Sequence, residues 1–183
     1  MRTKQQLVED YLVAGARLGS HSAIAKLAVL RGPGLYRHAM RLLGNSDDAH
    51  DAVQEAWIEI IKGLPRLRDE RAFAPWAYRI LTRRVARIIS VRIRDRTQIN
   101  DTAEPDDVSV PETGSMAADA YAVRQAIKAL PPPQAAAISL FYLEGMSIAE
   151  AAMALDVPTG TIKTRLRHAR TKLNKALKGD LDE

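Results

Sequence analysis

The sequence predicts an all-α protein: two small helical domains joined by a flexible acidic linker, the second domain a helix-turn-helix. Three observations carry this. Apolar residues recur at steps of three and four over most of the chain, and no segment alternates convincingly with a period of two. The periodicity lapses at "TQINDTAEPDDVSVPETGS", where the charged residues, Asp101, Glu104, Asp106, Asp107 and Glu112, are all acidic. Near the C-terminus, a short capped helix, a tight turn and a basic helix follow one another.

Composition sets the frame. The chain has 183 residues, 46% hydrophobic and 27% charged, which places it among globular rather than disordered proteins. Its net charge of +5 favours a negative partner, though only modestly. Cysteine is absent, so disulfide and thiolate chemistry are excluded. The segment "MRTKQQLVEDYLVAG" has no long apolar core and carries Glu9 and Asp10, unlike a signal peptide. No apolar run approaches a membrane span. The expected setting is cytoplasmic, without membrane insertion.

In the first domain, expected over residues 1–96, Ile24, Leu27, Leu35, Ala39 and Leu42 mark an apolar helical face, interrupted at Gly32-Pro33-Gly34. Ser46 is placed to cap the next helix, with Asp47 and Asp48 suited to its first turn. Ala49, Ala52, Val53, Ala56, Ile60 and Leu64 run along one side of it, and Gly63 and Pro65 end it. Its other side presents Asp48, Asp51, Gln54, Glu55 and Glu59. That surface repels DNA and suits either solvent or a basic protein partner. No His/Asp/Glu cluster has ligand spacing, and His50 beside Asp51 is only a weak hint of metal or acid–base chemistry.

The third helix opens near Phe73-Ala74-Pro75. In it Arg79, Arg83, Arg84, Arg87, Arg92, Arg94 and Arg96 face the single acid Asp95. Arg79, Arg83 and Arg87 stack on one face. Trp76 and Tyr78 lie beside them, and arginines with aromatics can grip a backbone and stack on unpaired bases. For Trp76 and Phe73 a place in the core is the stronger reading; Tyr78 is open.

The linker is expected over residues 97–116; its composition buries too little apolar area to offset the entropy of ordering. In the domain expected over 117–183, "PPP" separates two helices and Gly145 ends the second. Ser147 and Glu150 have capping-box spacing, "DVP" is the turn, and Thr159 is placed to cap the basic helix. Wound at about 100° per residue, Ile162, Leu166, Ala169 and Leu173 cluster on one side. Gly160, Thr164, Arg167 and Thr171 fall opposite, while Lys163, Arg165 and Arg170 flank the stripe. One apolar side and one free cationic side are what a reader of the major groove requires. A terminal helix with a solvated basic face is the plainer alternative, weakened by the capped helix beside it.

These stretches together resemble a family. "DDAHDAVQEAWIEI", "FAPWAYRILTRRVARI" and "LPPPQAAAISLFYLEGMSIAEAAMALDVPTGTIKTRLRHARTKL" are similar to the extracytoplasmic-function (ECF) sigma factors of bacterial RNA polymerase, over nearly the whole chain. The resemblance implies a non-enzymatic initiation factor with no cofactor, metal or small-molecule substrate. It binds core polymerase, directs it to promoters and assists promoter opening. Asp48, Asp51, Gln54 and Glu55 would dock on the coiled coil of the largest polymerase subunit. Trp76, Tyr78, Arg79, Arg83, Arg84 and Arg87 would take the −10 element. Thr159, Gly160, Thr161, Lys163, Thr164, Arg165, Arg167 and Arg170 would take the −35 element. An anti-sigma factor is a further expected partner. Arg83 and Arg87 stand where many relatives carry Asn and Asp, so the −10 preference is a point of departure. A sigma mimic that titrates an anti-sigma factor, or a dimeric helix-turn-helix repressor, remain alternatives; the intact basic helix counts against the first and the acidic helix against the second.

Overall fold

A computed structural model describes residues 3–98 and 115–179, all of whose regular elements are helical. The backbone divides into two compact units, Met1–Glu104 and Pro105–Glu183. Of the expected linker, residues 99–114 lie outside the described residues; 97–98 close one helix and 115–116 open the next.

The first unit packs α1 (Lys4–Arg17), α2 (His21–Leu43), α3 (Ser46–Gly63) and α4 (Phe73–Gln98) around Leu12, Leu27, Leu35, Ile60, Phe73 and Leu81. Short 3₁₀ turns, Leu64–Arg66 and Glu70–Ala72, connect α3 to α4. The apolar pattern alone does not mark α1. Thr3 and Gln6 cap it reciprocally, and it is clamped by charge. Glu9 is buried on α1, where Arg31 of α2 donates to it through Nε at 2.6 Å and also through Nη2. Arg17 pairs with Glu70.

Two expected boundaries shift. The helix expected to break at Gly32-Pro33-Gly34 runs unbroken through Pro33. Val29 and Pro33 are both exposed, so the carbonyl left without an N–H donor is open to water. Asn45, not Ser46, caps α3: its side chain accepts from the Asp48 N–H at 3.0 Å. Ser46 is the first helical residue, and its hydroxyl lies 3.2 Å from that of Tyr36.

Two tight contacts set α4 against its neighbours. A Cβ on Gly63 would lie 2.7 Å from Trp76 Cζ2, so only glycine lets the indole rest on the end of α3. His38 is fully buried, edge-on to Tyr78 at 5.4 Å between centroids, with Nε2 3.4 Å from the Thr82 hydroxyl. Burial, then the nearby Arg41 charge, lowers its pKa to about 3, so the ring is neutral.

The second unit comprises α5 (Ser115–Lys128), α6 (Pro132–Ile138), a π-turn (Ser139–Leu143), α7 (Ile148–Leu155) and α8 (Thr159–Gly179). The π-turn replaces the unbroken helix expected up to Gly145, and that glycine ends the segment at φ 67°. Ala137, Ile138, Leu140, Ala151, Ala154 and Ile162 are its buried centre.

Candidate macromolecular interfaces

The helix-turn-helix forms as its spacing predicts. Ser147 N–H donates to Glu150 Oε2 at 2.8 Å, and Glu150 N–H to Ser147 Oγ at 3.2 Å, a complete capping box at the start of α7. Asp156 closes α7 in the left-handed region at φ 53°, and Asp156–Pro158 make the turn. Thr159 is the first residue of α8 rather than its cap. The Pro158 carbonyl accepts from Thr161 N–H at 3.0 Å, and proline offers no side-chain acceptor to the first turn. Ile162, Leu166 and Ala169 are buried, which fixes the helix by one side.

The other side is open. Thr159, Gly160, Lys163, Thr164, Arg167 and Arg170 are exposed; Thr161 and Arg165 are half-buried. The Thr164 hydroxyl donates to the Gly160 carbonyl at 3.1 Å, and Arg170 Nε to the Leu166 carbonyl at 3.3 Å. Among the described residues, Lys163, Arg165, Arg167 and Arg170 have no acidic partner. Their charge is directed outward.

The arginines of α4 are arranged otherwise. Arg84 lies between two carboxylates of α3: Nη1 donates to Glu55 Oε2 at 2.8 Å, and Nη2 and Nε donate to Glu59 Oε2 at 3.0 and 3.3 Å. Arg83 donates to Glu59 Oε1 at 3.3 Å, and Arg92 pairs with Asp48. Arg87 is exposed, with no ion pair among the described residues. Arg79 is half-buried and partnered. Trp76 is half-buried, its ring against Gly63 and 6.2 Å from that of Phe73. Tyr78 is 0% exposed: the residue left open between core and base stacking is core here, turned inward onto His38.

On α3, Asp51 and Gln54 are exposed and outside this network, whereas Asp48 and Glu55 are inside it. Ile58 and Ile61, 55% and 43% exposed, continue the same surface. Helical winding sets them opposite Ala52, Ala56 and Ile60. Between α3 and α4 lies an open cleft of about 460 Å³, lined by Asp48, Glu55, Arg84, Arg87 and Arg92 with Ile88 and Val91.

Both units are similar to known proteins. The Sigma-70 region 2 family model matches residues 29–97, spanning most of α2 through α4, and the Sigma-70 region 4 model matches residues 120–173. The ECF RNA polymerase sigma factor SigM of Mycobacterium tuberculosis is 34% identical over 144 residues, 78% of this chain and 71% of SigM. The chain belongs to the ECF sigma factors. It is a transcription-initiation factor, a class distinct from classical enzymes. The RNA polymerase sigma-H factor of Pseudomonas aeruginosa is 29% identical, with both chains covered in full. Among solved structures, the sigma factor RpoE of Bartonella quintana, crystallised with the anti-sigma factor NepR, superposes with a TM-score of 0.71. It is 25% identical, over 84% of this chain and 96% of that one.

Within this sigma factor, region 2 carries the paired α3–α4 surface and region 4 the open face of α8. Sequence reasoning did not find Ile58 and Ile61, although apolar residues in register with a polar face were a usable signal. The cross-helix pairing had no signal, because it depends on how α3 and α4 cross. No helix among the described residues is long and apolar enough to cross a membrane.

Proposed function

We propose that this ECF sigma factor acts in the cytoplasm by three surfaces on two domains, residues 1–96 and 117–183, joined by the linker 97–116. The exposed side of α3, with Asp48, Asp51, Gln54 and Glu55 joined by Ile58 and Ile61, docks on the coiled coil of the largest polymerase subunit. Carboxylates beside exposed isoleucines suit a basic, amphipathic helical partner. The α4 face, with Trp76, Arg79, Arg83, Arg84 and Arg87, takes the −10 element; Tyr78 is left out because it is buried. The exposed side of α8, from Thr159 to Arg170, takes the −35 element in the major groove.

The observation that carries this reading is the outward cationic face of α8, seated through Ile162, Leu166 and Ala169 beside a capped helix. An anti-sigma factor holds the chain between rounds; co-crystallisation of the related RpoE with NepR supports that part. The test is run-off transcription with purified core polymerase across a fragmented genome. Transcripts from promoters sharing upstream and start-proximal elements are expected, and no initiation at any promoter would refute the reading.

A further inference from the structure

Part of each proposed surface of region 2, Asp48 and Glu55 on α3 and Arg83 and Arg84 on α4, is engaged in ion pairs between the two helices. Arg84 uses Nε, Nη1 and Nη2 on Glu55 and Glu59, Glu59 also holds Arg83, and Asp48 holds Arg92. A phosphate that takes Arg83 or Arg84 competes with a carboxylate for the same guanidinium. A cation that takes Glu55 or Asp48 competes with an arginine for the same carboxylate. Half of these groups are at the rim: the Arg83, Glu55 and Arg92 side chains are 61%, 59% and 40% exposed. A partner can therefore exchange with them without unfolding the helices.

We propose that this ladder of ion pairs is an electrostatic latch that couples the two faces of region 2. With the latch closed, α3 neutralises the arginines of α4 and the free protein holds single-stranded DNA weakly. A cationic partner on α3 draws off the carboxylates and leaves the guanidiniums to phosphate. By linkage, DNA on α4 strengthens binding of the cationic partner by the same factor. The inference rests on the reading in which α3 docks a basic polymerase surface and α4 takes DNA. The exposed faces at Asp51 and on α8 lack such pairs among the described residues and are outside the latch.

The test is Glu59→Gln, which keeps the side chain's shape and removes the charge shared by Arg83 and Arg84. Its companion is Asp47→Asn, an exposed α3 carboxylate with no ion pair among the described residues, which makes the same change in net charge. Full-length chains, all carrying Lys163→Ala and Arg167→Ala to minimise binding by α8, are titrated with a fluorescein-labelled 20-nucleotide oligothymidine at low salt. Circular dichroism verifies the fold. The latch predicts affinity about threefold or more tighter for Glu59→Gln and less than about 1.5-fold changed for Asp47→Asn. Equal affinities for the two variants would overturn it. Run-off transcription by the wild-type chain keeps the outcomes apart: initiation with equal affinities sinks only the latch, while no initiation sinks the underlying reading as well.

Discussion

Region 2 and region 4 of this sigma factor both carry helices dense in arginine and lysine, yet they dispose of the charge in opposite ways. On α8 the cations Lys163, Arg167 and Arg170 project away from its buried side, with no ion pair among the described residues. On α4 the cations Arg83, Arg84 and Arg92 are spent on the neighbouring α3. A count of basic residues makes the two helices look alike. Pairing makes them different: α8 leaves its cations open to any polyanion, whereas Arg83, Arg84 and Arg92 of α4 are already engaged with carboxylates. Exposed pairs cost little to open, about 0–1 kcal/mol each, so the difference is one of competition rather than stability.

The largest test of the comparison targets the part of α3 that lies outside the pairing. Asp51→Lys with Gln54→Lys reverses the charge of the proposed docking face and leaves Glu55 and Glu59 with their arginines. Binding to core polymerase, followed by biolayer interferometry, should weaken by about 3 kcal/mol, roughly 100-fold. Binding of free DNA by α8 should not weaken. Equal loss of both would mean that the double variant has disturbed the fold.

Next in size is a contrast between arginines. Arg167→Ala should cost about 1–3 kcal/mol at the upstream element and relax preference at one base position, if the guanidinium makes a bidentate base contact. Arg83→Ala, held by Glu59, should change the affinity of the free chain for DNA by less than about twofold. Comparable losses for the two, read by anisotropy on the same duplex, would erase the distinction between the paired and open helices.

A third test concerns the buried side of the α2–α4 packing. His38 has a folded pKa of about 3 against an ordinary 6.5. Between those values the unfolded chain binds the proton and the folded chain does not. The stability held by the neutral ring is therefore full above pH 6.5 and is lost as pH falls. At pH 5 the loss is about 2 kcal/mol. Urea midpoints at pH 7 and pH 5 should show this drop in the wild type and a much smaller one in His38→Asn.

How much of this was legible in the sequence depends on the range of the forces. The capping box at Ser147 and Glu150, the turn at Asp156–Pro158 and the apolar stripe of α8 depend on neighbours three or four residues away, and the spacing predicts them correctly. Helix ends are less secure, because adjacent residues compete for one capping role. Asn45 displaces Ser46, and Pro158 with its bare carbonyl stands where Thr159 was expected to cap. Local rules disfavour Pro33 inside a helix, but packing on both sides of it overrides that preference. Tyr78 is ambiguous in sequence because it lies next to arginines, while its ring enters the core. The Arg84–Glu55–Glu59 cluster spans 25 to 29 residues of sequence, and no local rule reaches that far.

The smallest effect separates the seam from the open face by a single methyl group. At Gly63 an added Cβ would sit 2.7 Å from Cζ2 and 3.0 Å from Cη2 of Trp76. The indole must shift from its place beside Phe73 to make room, so Gly63→Ala should destabilise the chain by about 1–2 kcal/mol despite alanine's better helix propensity. At Gly160, on the free side of α8, an added Cβ meets nothing within 4 Å. Gly160→Ala should therefore stabilise the fold by about 0.5 kcal/mol, through the unfolded chain. It should still weaken DNA binding if the backbone of that first turn approaches the groove closely. Thermal melts of the two variants check the opposite signs. A Gly63→Ala protein as stable as the wild type would show that Trp76 is free to move, and would return the indole to the residues able to stack on a base.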